Sequence, residues 1–488
     1  MGHIVMLPFL AWGHFKPFVT FANLIIHHHP SHTITIATTP LNLPKLRSIL
    51  PPSTPIRLAA LPFDPSSHGL PPDGDCTDFL PPPLIVRLCY ASRALRPALE
   101  RHLRDLPVAD QPPCLIADIL FGWTVDVASI TGAFHAFFAT QAAYGFCIYM
   151  SLWLHLPQAM TDSDEFELPD FPDVRLHRTQ ISAYAKTMTP SDPWPVFLRE
   201  EWALRFGTGG LLVNSVREME PKGMERLRTL FPGRPIWSIG PALPSALPVP
   251  ATESSSSLAK RPGISPEDCT RWLDHHPPGS VLYMSFGSQN TISASQMKAL
   301  AKGLAESGVA FIWVVRPPVE FKLEEEFRSS EWLPKGFEDR IREKKRGLVV
   351  RNWAPQLTIL AHESTGGFLS HCGWNSVLES LSHGVPLIGW PIAAEQFYNS
   401  KMMEEEMGVG VELARGNQAE VRKEEVVRVV ALAMGETEKR EEMRRKASEV
   451  REVLRGAWRK QVGDGGGGNC VGSSFAAMND FLETAFSR

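Results

Sequence analysis

Two side chains in the first quarter of the chain have the chemistry of a proton-transfer pair. His14 follows the apolar run His3–Phe9, and Asp118 closes another apolar run. If both runs are strands of one parallel sheet, both side chains lie at its carboxyl edge, where ligands bind. A carboxylate on one ring nitrogen holds an imidazole in one tautomer and stabilises its positive charge, so the pair predicts a general base. Position alone leaves open a backbone-bonded loop histidine and an aspartate helix N-cap.

A second candidate site lies between Trp353 and Gln396. Gly366–Ser370 has the composition of a buried strand, and a turn separates it from a helical pattern that begins at Trp374. The first amides of a helix lack intrahelical partners and lie at its positive dipole end, so they suit a diphosphate. Gly373 lets the backbone approach such a ligand closely. An ordinary βα unit is the weaker alternative, because polar residues flank the segment on both sides.

Side chains of the same segment suit the rest of a nucleotide-sugar. Glu379 lies one turn along the predicted helix, where a carboxylate can accept both ribose hydroxyls, as in dinucleotide sites. Trp353 can stack on a base whose edge the Ala354 backbone can read. Glu395 and Gln396 follow a predicted strand and can bind sugar hydroxyls. Additional side-chain donors to a diphosphate are His371, Asn375 and Ser376.

Large apolar side chains near the His14 and Asp118 loops predict an apolar acceptor. For any single one of them, core packing is the alternative. Together they indicate an aromatic or terpenoid-like molecule, and they do not choose between a phenol, a terpenoid alcohol and a carboxylic acid, or between transfer to oxygen, nitrogen or carbon. The candidates are Trp12, Phe15, Phe79, Leu80, Phe121, Trp123, Phe146 and Phe197.

Strands alternate with helices in both halves of the chain, which predicts two α/β domains with doubly wound parallel sheets. We expect the first helix to run from about Pro17 to His28, with His27–His29 as its solvated, positive end. Further helices are predicted at Phe121–Ile130, Ala142–Leu156, Ser295–Ser307 and Phe475–Phe486. Strands are predicted at His3–Phe9, Thr33–Thr38, Ile56–Leu61, Cys114–Asp118, Ala133–Thr140, Ser280–Phe286, Ala310–Val315, Gly347–Arg351, Gly366–Ser370 and Pro386–Trp390.

Composition narrows the class of protein. The 488 residues carry a formal net charge of −4 and show no basic patch, which argues against nucleic acid as a partner. Seven scattered cysteines without metal-like spacing predict reduced thiols and a cytoplasmic location. No signal peptide is recognisable, and the most apolar later stretch, Ala142–Leu156, is too short to span a bilayer, so we expect no stable membrane insertion. A monomer is the default expectation.

The segment from Trp353 to Gln396 resembles, from end to end and in its spacing, the signature box of the plant secondary-product UDP-dependent glycosyltransferases, the family 1 UDP-glycosyltransferases. Four shorter motifs fit the same family. They are Gly13-His14, Tyr283–Ser288, Trp313–Arg316 and the Gly-Ser-Ser that begins at Gly472.

The resemblance implies a GT-B fold, in which two Rossmann-like domains face each other across a cleft that holds the active site. It implies an inverting transferase of plant secondary metabolism that moves glucose from UDP-glucose to a hydroxyl of a flavonoid, phenolic or terpenoid acceptor, giving a β-glucoside. UDP-glucose is then a substrate, and we expect no metal and no other cofactor. The expected domains are acceptor-binding 1–245, linker 246–266, UDP-sugar-binding 267–462, and 463–488 as a Gly-rich link with a helix packing on the N-terminal domain.

The resemblance also implies a role for each matching residue. Gln396 at the end of the box favours glucose over galactose. Two positions depart from the common pattern, because Glu395 replaces the usual Asp and Lys16 replaces the usual Asn. In the implied catalytic pair, His14 is the base and Asp118 is its partner. The implied nucleotide contacts are Trp353, Ala354 and Gln356 to uridine and Glu379 to ribose. The implied contacts to the diphosphate are His371, Asn375, Ser376 and Ser288, and those to the sugar are Trp374, Glu395, Gln396 and Thr140.

Two other functions compete with glycosyl transfer. A nucleotide-sugar epimerase of the same fold needs no external acceptor, and an apolar acceptor pocket argues against it. A non-catalytic UDP-sugar-binding protein would keep the box without His14 or Asp118, and both residues are present.

Overall fold

The computed structural model describes residues 2–107, 111–244, 263–322, 325–460 and 471–487, without the side chains of residues 79 and 82. Most of the predicted linker 246–266 and of the predicted Gly-rich link therefore lies outside the described residues. The chain divides into two compact units. Unit 1 is drawn from Met1–Arg175, Thr187–Leu258 and Val453–Arg488, and unit 2 from Leu176–Lys186 and Ala259–Glu452.

The first unit is built on a seven-stranded sheet of order β3-β2-β1-β4-β5-β8-β9, in which every described pair is parallel. Its central strands are continuous apolar runs because helices cover both faces of a parallel sheet. The winding reverses between β1 and β4, which makes their carboxyl ends the ligand-binding position of this fold. The strands are β1 His3–Leu7, β2 Thr33–Thr38, β3 Arg57–Ala60, β4 Cys114–Asp118, β5 Phe134–Ala139, β6 Glu165–Leu168, β7 Phe171–His177, β8 Leu211–Val213 and β9 Ile236–Ser238, with β6 and β7 forming a separate two-stranded sheet.

The first helix begins earlier than predicted. The amides of His14 and Phe15 both bond the Ala11 carbonyl at 3.0 Å, so helical bonding starts at Trp12 and Pro17 lies inside the helix. His14 therefore stands on the first turn of a helix and not in a loop. The helices up to residue 244 are α1 Trp12–His28, α2 Leu43–Ile49, α3 Pro82–Ala91, α4 Arg96–Arg104, α5 Thr124–Thr131, α6 Ala143–His155, α7 Ala183–Thr187, α8 Pro193–Ala203 and α9 Pro221–Leu230.

The second unit contains a six-stranded parallel sheet of order β12-β11-β10-β13-β14-β15, whose winding reverses between β10 and β13. Its strands are β10 Val281–Ser285, β11 Ala310–Val315, β12 Gly347–Arg351, β13 Thr365–Ser370, β14 Leu387–Gly389 and β15 Gly410–Glu412. Large side chains from several of these strands, among them Trp313 and Leu369, fill one buried core. The prediction of two doubly wound parallel sheets is confirmed.

Helices surround the second sheet and continue to the end of the chain. The start of α11 is set by a reciprocal capping box in which the side chains of Ser293 and Gln296 bond each other's backbone amides. The helices are α10 Pro266–Leu273, α11 Ala294–Ser307, α12 Ser329–Trp332, α13 Phe337–Glu343, α14 Gln356–Ala361, α15 Trp374–Ser382, α16 Gln396–Lys401, a π-helical turn Met402–Glu406, α17 Lys423–Met434, α18 Glu438–Gly456 and α19 Ser473–Phe486. None of the described helices is long and apolar enough to cross a membrane.

The histidines at the end of α1 contact the C-terminal helix α19. His29 Nε2 lies 2.7 Å from the Asn479 side-chain oxygen, and the His28 ring stacks on Trp458 and meets Phe475 edge-on. Burial, with smaller contributions from neighbouring cations, lowers the pKa of His28 to about 4. The prediction of a solvated, positive end is therefore wrong for His28, whose neutral ring packs against Trp458 and Phe475, whereas His27 is exposed as predicted.

Candidate active site

Three adjacent strands of the first unit each deliver one polar side chain to the same edge of the sheet. His14 follows β1, Asp118 is the last residue of β4, and Thr140 follows β5. The parallel register pairs Leu7 with Ala117 and Asp118 with Phe138, so the three strands end at nearly the same level. The strand ends thus bring together side chains that are up to 126 positions apart in the sequence.

His14 and Asp118 are in direct contact. His14 Nδ1 lies 2.6 Å from Asp118 Oδ2, and Thr140 Oγ1 lies 3.2 Å from the same nitrogen. The Leu120 amide donates to the other carboxylate oxygen at 3.1 Å, which fixes the carboxylate plane. The Asp118 side chain has no exposed surface, and that of His14 is 16% exposed. Because the carboxylate accepts at Nδ1, this nitrogen carries the proton and Nε2 carries the lone pair that can accept another.

A row of aromatic rings begins at the His14 imidazole. Phe9 meets His14 edge-on with ring centroids 5.2 Å apart, and Phe121 lies 5.6 Å from Phe9. Trp123 continues this group, 5.7 Å from Phe121. Phe9 was not among the predicted site residues, although it is the last residue of the predicted first strand and so had to lie at the sheet edge.

The loop that carries Phe121 and Trp123 is held from behind by a buried acid. Glu201 Oε2 accepts from the Trp123 amide at 2.9 Å, and its other oxygen accepts two bonds from the Arg93 guanidinium. Burial raises the pKa of Glu201, and the Arg93 contact opposes that rise. This arrangement connects α8 to the loop that follows Asp118, so it stabilises the surroundings of the His14–Asp118 pair.

The predicted acceptor-binding side chains differ in exposure. Trp12 is half-buried, with its ring 6.3 Å from that of Phe15. Phe15, Phe121 and Phe197 have no exposed surface, and Phe146 is also buried. A side chain without exposed surface reaches a ligand only if its neighbours move, so Trp12 is the member best placed for direct contact. Leu80 is half-buried and Trp123 buried, whereas the side chain of Phe79 lies outside the described residues.

In the second unit, a strained turn connects β13 to α15. Cys372 adopts a left-handed conformation with φ of +64°, which is uncommon for a residue with a side chain. Ser370 Oγ accepts from the Cys372 amide at 3.1 Å, and Asn399 Nδ2 donates to its carbonyl at 3.0 Å. The turn is thereby held from both sides, and the amides of Trp374 and the next residues begin α15 with Gly373 as N-cap.

His371 fills the space beside this helix start. A side chain at Gly287 or Gly373 would place its Cβ 2.5 Å from His371 Nε2, so the ring lies against two glycine backbones. His371 is 8% exposed, and its Nδ1 has no hydrogen-bond partner among the described residues. Burial, helped by the positive charge of Arg316, lowers the pKa of His371 to about 4. The ring is therefore neutral at pH 7 and can donate or accept, without carrying a charge.

Gln356 organises the predicted uridine site. It stands at the first position of α14 and accepts from the Tyr283 hydroxyl at 3.1 Å. Its amide nitrogen donates to Ser376 Oγ at 3.2 Å and to Glu379 Oε2 at 2.5 Å. The carboxylate of Glu379 is buried and oriented by this bond. The family resemblance implies that Gln356 contacts uridine. The structure shows that Gln356 also positions Glu379, the predicted ribose-binding residue.

Trp353 is positioned by the residue before it. Asn352 is left-handed, with φ of +69°, and its amide bonds the Val315 carbonyl at 3.1 Å. The Trp353 carbonyl accepts from the Gly263 amide at 2.9 Å. Trp353 is half-buried and Ala354 is 3% exposed. The bend therefore leaves part of the indole accessible while its backbone is fixed.

The predicted sugar-binding residues lie at the start of α16. Gln396 Oε1 accepts from the amides of Ile392 at 3.0 Å and Ala393 at 2.9 Å, so it is the Gln396 amide nitrogen that can meet a ligand. Glu395 is the N-cap residue of the same helix and is half-buried. The other residues predicted to contact the UDP-sugar differ in exposure: Trp374 is buried, Asn375 and Ser376 are half-buried, and Ser288 is exposed.

No group of three or more histidine, cysteine, aspartate and glutamate side chains that could hold a metal ion occurs within the described ranges. The site in the first unit contains one His–Asp pair, and the site in the second unit combines helix amides and neutral side chains with the carboxylates of Glu379 and Glu395.

Comparison with known proteins identifies the family. A family model described as "UDP-glucoronosyl and UDP-glucosyl transferase" matches residues 265–444. UDP-glycosyltransferase 92A1 of Arabidopsis thaliana is 40% identical over 490 residues, covering 99% of this chain and 96% of that protein. Crocetin glucosyltransferase 3 of Crocus sativus is 44% identical over 435 residues, covering 88% of this chain and 90% of that protein.

A solved structure agrees over the same length. UGT2 of Phytolacca americana, complexed with UDP-2fluoro-glucose and pterostilbene, is 28% identical and has a TM-score of 0.74, covering 99% of this chain and 98% of that chain. The predicted fold class, two Rossmann-like domains of the GT-B type, is confirmed. Sequence and structure together show that the chain belongs to the plant UDP-glycosyltransferase family.

Proposed function

We propose that this chain is an inverting glucosyltransferase that moves glucose from UDP-glucose to a hydroxyl of a small, mostly apolar acceptor and releases a β-glucoside. The observation that carries the proposal is the 2.6 Å contact between His14 Nδ1 and Asp118 Oδ2, which makes a base of the imidazole at the edge of the first sheet. In this proposal unit 1 binds the acceptor and unit 2 binds the donor.

The proposed reaction needs one proton transfer and one substitution. His14 Nε2 takes the proton of the acceptor hydroxyl, and Asp118 stabilises the imidazolium that forms. The acceptor oxygen forms a bond to the anomeric carbon of the sugar from the face opposite UDP. The bond between that carbon and the β-phosphate oxygen breaks, and its electron pair stays on UDP. Attack from the opposite face converts the α-linked donor to a β-linked product.

The donor half of the reaction relies on electrostatic stabilisation without a metal. The first amides of α15 lie at the positive end of a helix dipole, where growing negative charge on UDP is favoured. The neutral His371 ring and the half-buried Asn375 and Ser376 add hydrogen-bonding groups close to the same helix start. Glu379, oriented by Gln356, suits the ribose hydroxyls.

Support for glucose comes from the end of the box and from the relatives. The amide nitrogen of Gln396 is directed by the two backbone amides that bond its oxygen, so a single donor group meets the sugar. One relative is named a glucosyltransferase, and UGT2 was solved with UDP-2fluoro-glucose. The same structure also contains pterostilbene, in keeping with a flavonoid, phenolic or terpenoid acceptor here.

The setting of the reaction follows from the same features. The six described cysteines are buried and free, as expected of a cytoplasmic enzyme in a reducing environment.

A nucleotide-sugar epimerase and a non-catalytic UDP-sugar-binding protein are the competing functions. An epimerase needs no external acceptor, and the aromatic side chains beside His14 favour an apolar acceptor. A binding protein has no use for a base that is paired with a buried carboxylate.

The test is a transfer assay with the purified full chain. It is incubated with UDP-glucose, UDP-galactose or UDP-glucuronate, each against a panel of phenols, flavonoids, terpenoid alcohols and carboxylic acids, and products are detected by mass. We expect a gain of one hexose with UDP-glucose and a β-anomeric signal in the proton NMR spectrum of the product. Conversion of UDP-glucose to another UDP-hexose without an acceptor would identify an epimerase, and UDP-glucose binding without any product would identify a binding protein.

A further inference from the structure

Arg316 lies at the carboxyl edge of the second sheet, directly after β11. Its guanidinium bonds the Ser288 carbonyl, in the loop after β10, and reaches the Asn352 carbonyl after β12 at 3.5 Å. One side chain thus spans the ends of three neighbouring strands, at the edge where parallel sheets bind ligands. The loops it contacts are those that carry Ser288, a predicted phosphate contact, and Trp353, the predicted base platform.

Within the described part of the chain, the positive charge of Arg316 has no acidic partner at ion-pair distance. Both of its hydrogen bonds go to backbone carbonyls. The side chain is half-buried, and burial lowers the pKa of Arg316. A partly desolvated guanidinium without a carboxylate is costly, and phosphate is the ligand that its planar set of donors fits best.

The charge of Arg316 acts on His371, which lies three residues before the start of α15. After burial, it is the largest influence that lowers the pKa of His371. The predicted phosphate contacts themselves are uncharged: Ser288, Asn375 and Ser376 are neutral side chains, and His371 is neutral at pH 7. A diphosphate that is bound only by such groups would keep its negative charges uncompensated.

We propose that Arg316 is a further binding residue for the donor diphosphate, and that its charge stabilises the electron pair left on UDP when the glycosidic bond breaks. The inference rests on the proposed function, because it assumes that UDP occupies the start of α15. Arg316 lies outside the box from Trp353 to Gln396, and this role adds a positive charge to a diphosphate subsite whose other predicted contacts are neutral side chains and helix amides.

A purely structural role makes a different prediction. Because both hydrogen bonds of Arg316 go to backbone carbonyls, the side chain could simply hold the Ser288 loop and the Asn352 bend in place. Loss of such a clamp would displace Trp353 and weaken the binding of every ligand that contains uracil. Loss of a phosphate-binding charge would weaken only ligands that contain phosphate.

The test compares ligands that differ only in phosphate. Calorimetric affinities of uridine, UMP and UDP are measured for the wild type, Arg316→Gln and Arg316→Lys. We expect Arg316→Gln to bind uridine as the wild type does, to lose about ten- to one-hundred-fold in UDP affinity, and to show a weaker dependence of that affinity on salt. Arg316→Lys should recover most of the lost affinity. Arg342→Gln removes an exposed charge of the same unit, which is paired with Asp339, and serves as the matched control.

Three outcomes overturn the inference or its premise. Equal losses of uridine and UDP affinity in Arg316→Gln would show that Arg316 only holds the two loops in place. Unchanged UDP affinity would show that Arg316 has no role in donor binding. A wild-type chain that fails to bind UDP would instead contradict the proposed function. If Arg316→Gln does not fold, Arg316→Lys decides between the two roles. Lysine cannot bond both carbonyls as the guanidinium does, so a structural role predicts that Arg316→Lys binds uridine more weakly than the wild type. A phosphate-binding role predicts that Arg316→Lys still binds UDP, because the charge is kept.

Discussion

Each unit of the protein places one histidine at the carboxyl edge of its sheet, and the two rings have opposite electrostatic surroundings. His14 lies 2.6 Å from the buried carboxylate of Asp118, which favours a positive ring. His371 is buried against two glycines and lies near the guanidinium of Arg316, and its pKa falls to about 4. The same side chain therefore suits proton transfer in one unit and uncharged hydrogen bonding in the other.

The contrast extends to how each site is built. The first site needs residues from three strand ends, and its charge balance depends on one pair. The diphosphate part of the second site is contained largely in one strand, turn and helix, and its positive potential comes from a helix dipole as well as from Arg316. A substitution in the first site should therefore abolish the proton transfer. A substitution in the second site should only weaken the binding of the UDP-sugar, because several groups share that binding.

Removal of the base is the most damaging change expected. His14→Gln keeps a polar side chain that cannot take a proton, so the turnover number should fall by about a thousandfold while UDP affinity is unchanged. Steady-state kinetics and calorimetry with UDP measure the two quantities. His27→Gln, at an exposed position of the same helix, is the control and should behave as the wild type. Retained turnover in His14→Gln would show that another group takes the proton.

Loss of the carboxylate charge should have the next largest effect. Asp118→Asn preserves the size of the side chain but cannot stabilise an imidazolium, and it can bind the other tautomer of His14, so turnover should drop by about a hundredfold or more. A rate-against-pH profile should show a weaker base in the variant. Asp126→Asn, on the surface of α5, is the matched control. An unaltered profile would separate Asp118 from the proton transfer.

Replacement of the second histidine should change binding and leave the proton transfer intact. His371→Gln should weaken UDP binding by about tenfold, because one buried hydrogen bond to an anionic ligand is lost, and the shape of the rate-against-pH profile should stay as in the wild type. Calorimetry and steady-state kinetics test this. A variant that lost the fall in rate at low pH would mean that His371, and not His14, is the titrating base.

The lowered pKa of His371 predicts how the free energy of unfolding depends on pH. Its pKa is about 4 in the folded state and 6.5 as the ordinary value, so the neutral ring contributes stability that is present above pH 6.5 and is lost as the pH falls towards 4. Between these values the slope of the unfolding free energy should be steeper in the wild type than in His371→Gln by up to about 1.4 kcal/mol per pH unit. Urea unfolding at several pH values measures both slopes, and parallel slopes would contradict the buried neutral ring.

The smallest effect is expected at Thr140. Its hydroxyl lies 3.2 Å from His14 Nδ1, beyond the shorter Asp118 contact, so Thr140→Val should lower turnover by about threefold only. Thr140→Ser keeps the hydroxyl and should match the wild type. A loss in Thr140→Val as large as that in Asp118→Asn would make the hydroxyl an equal partner of the carboxylate.

The elements that carry both sites could be predicted because they are long apolar runs followed by polar residues. The strands Cys114–Asp118, Ala310–Val315 and Gly347–Arg351 have the predicted bounds. The three-residue strand β14 was predicted because it lies within the longer run Pro386–Trp390. The equally short strands β8, β9 and β15 were not predicted, because a run of that length has no readable period on its own. The start of α1 was misplaced because Pro17 resembles a first helical residue, although the backbone bonds begin at Ala11.

Side-chain contacts between distant segments could be anticipated only as neighbours at a sheet edge. The link from Glu201 to the Trp123 amide joins α8 to a loop almost eighty residues earlier, and no local pattern marks it. The histidines at the end of α1 are predicted to be solvated because positive side chains are favoured at the C-terminal end of a helix. Their contacts with Trp458 and Asn479 come from the other end of the chain.

The amino-acid sequence by itself determined the two sheets, the helix start at Trp374 and the identity of the groups available for chemistry, since these depend on local composition and spacing. Only the tertiary structure decided the surroundings of the two histidines. His14 Nδ1 meets a buried carboxylate, whereas burial and the charge of Arg316 lower the pKa of His371. These neighbours are brought close by strand order and not by sequence distance.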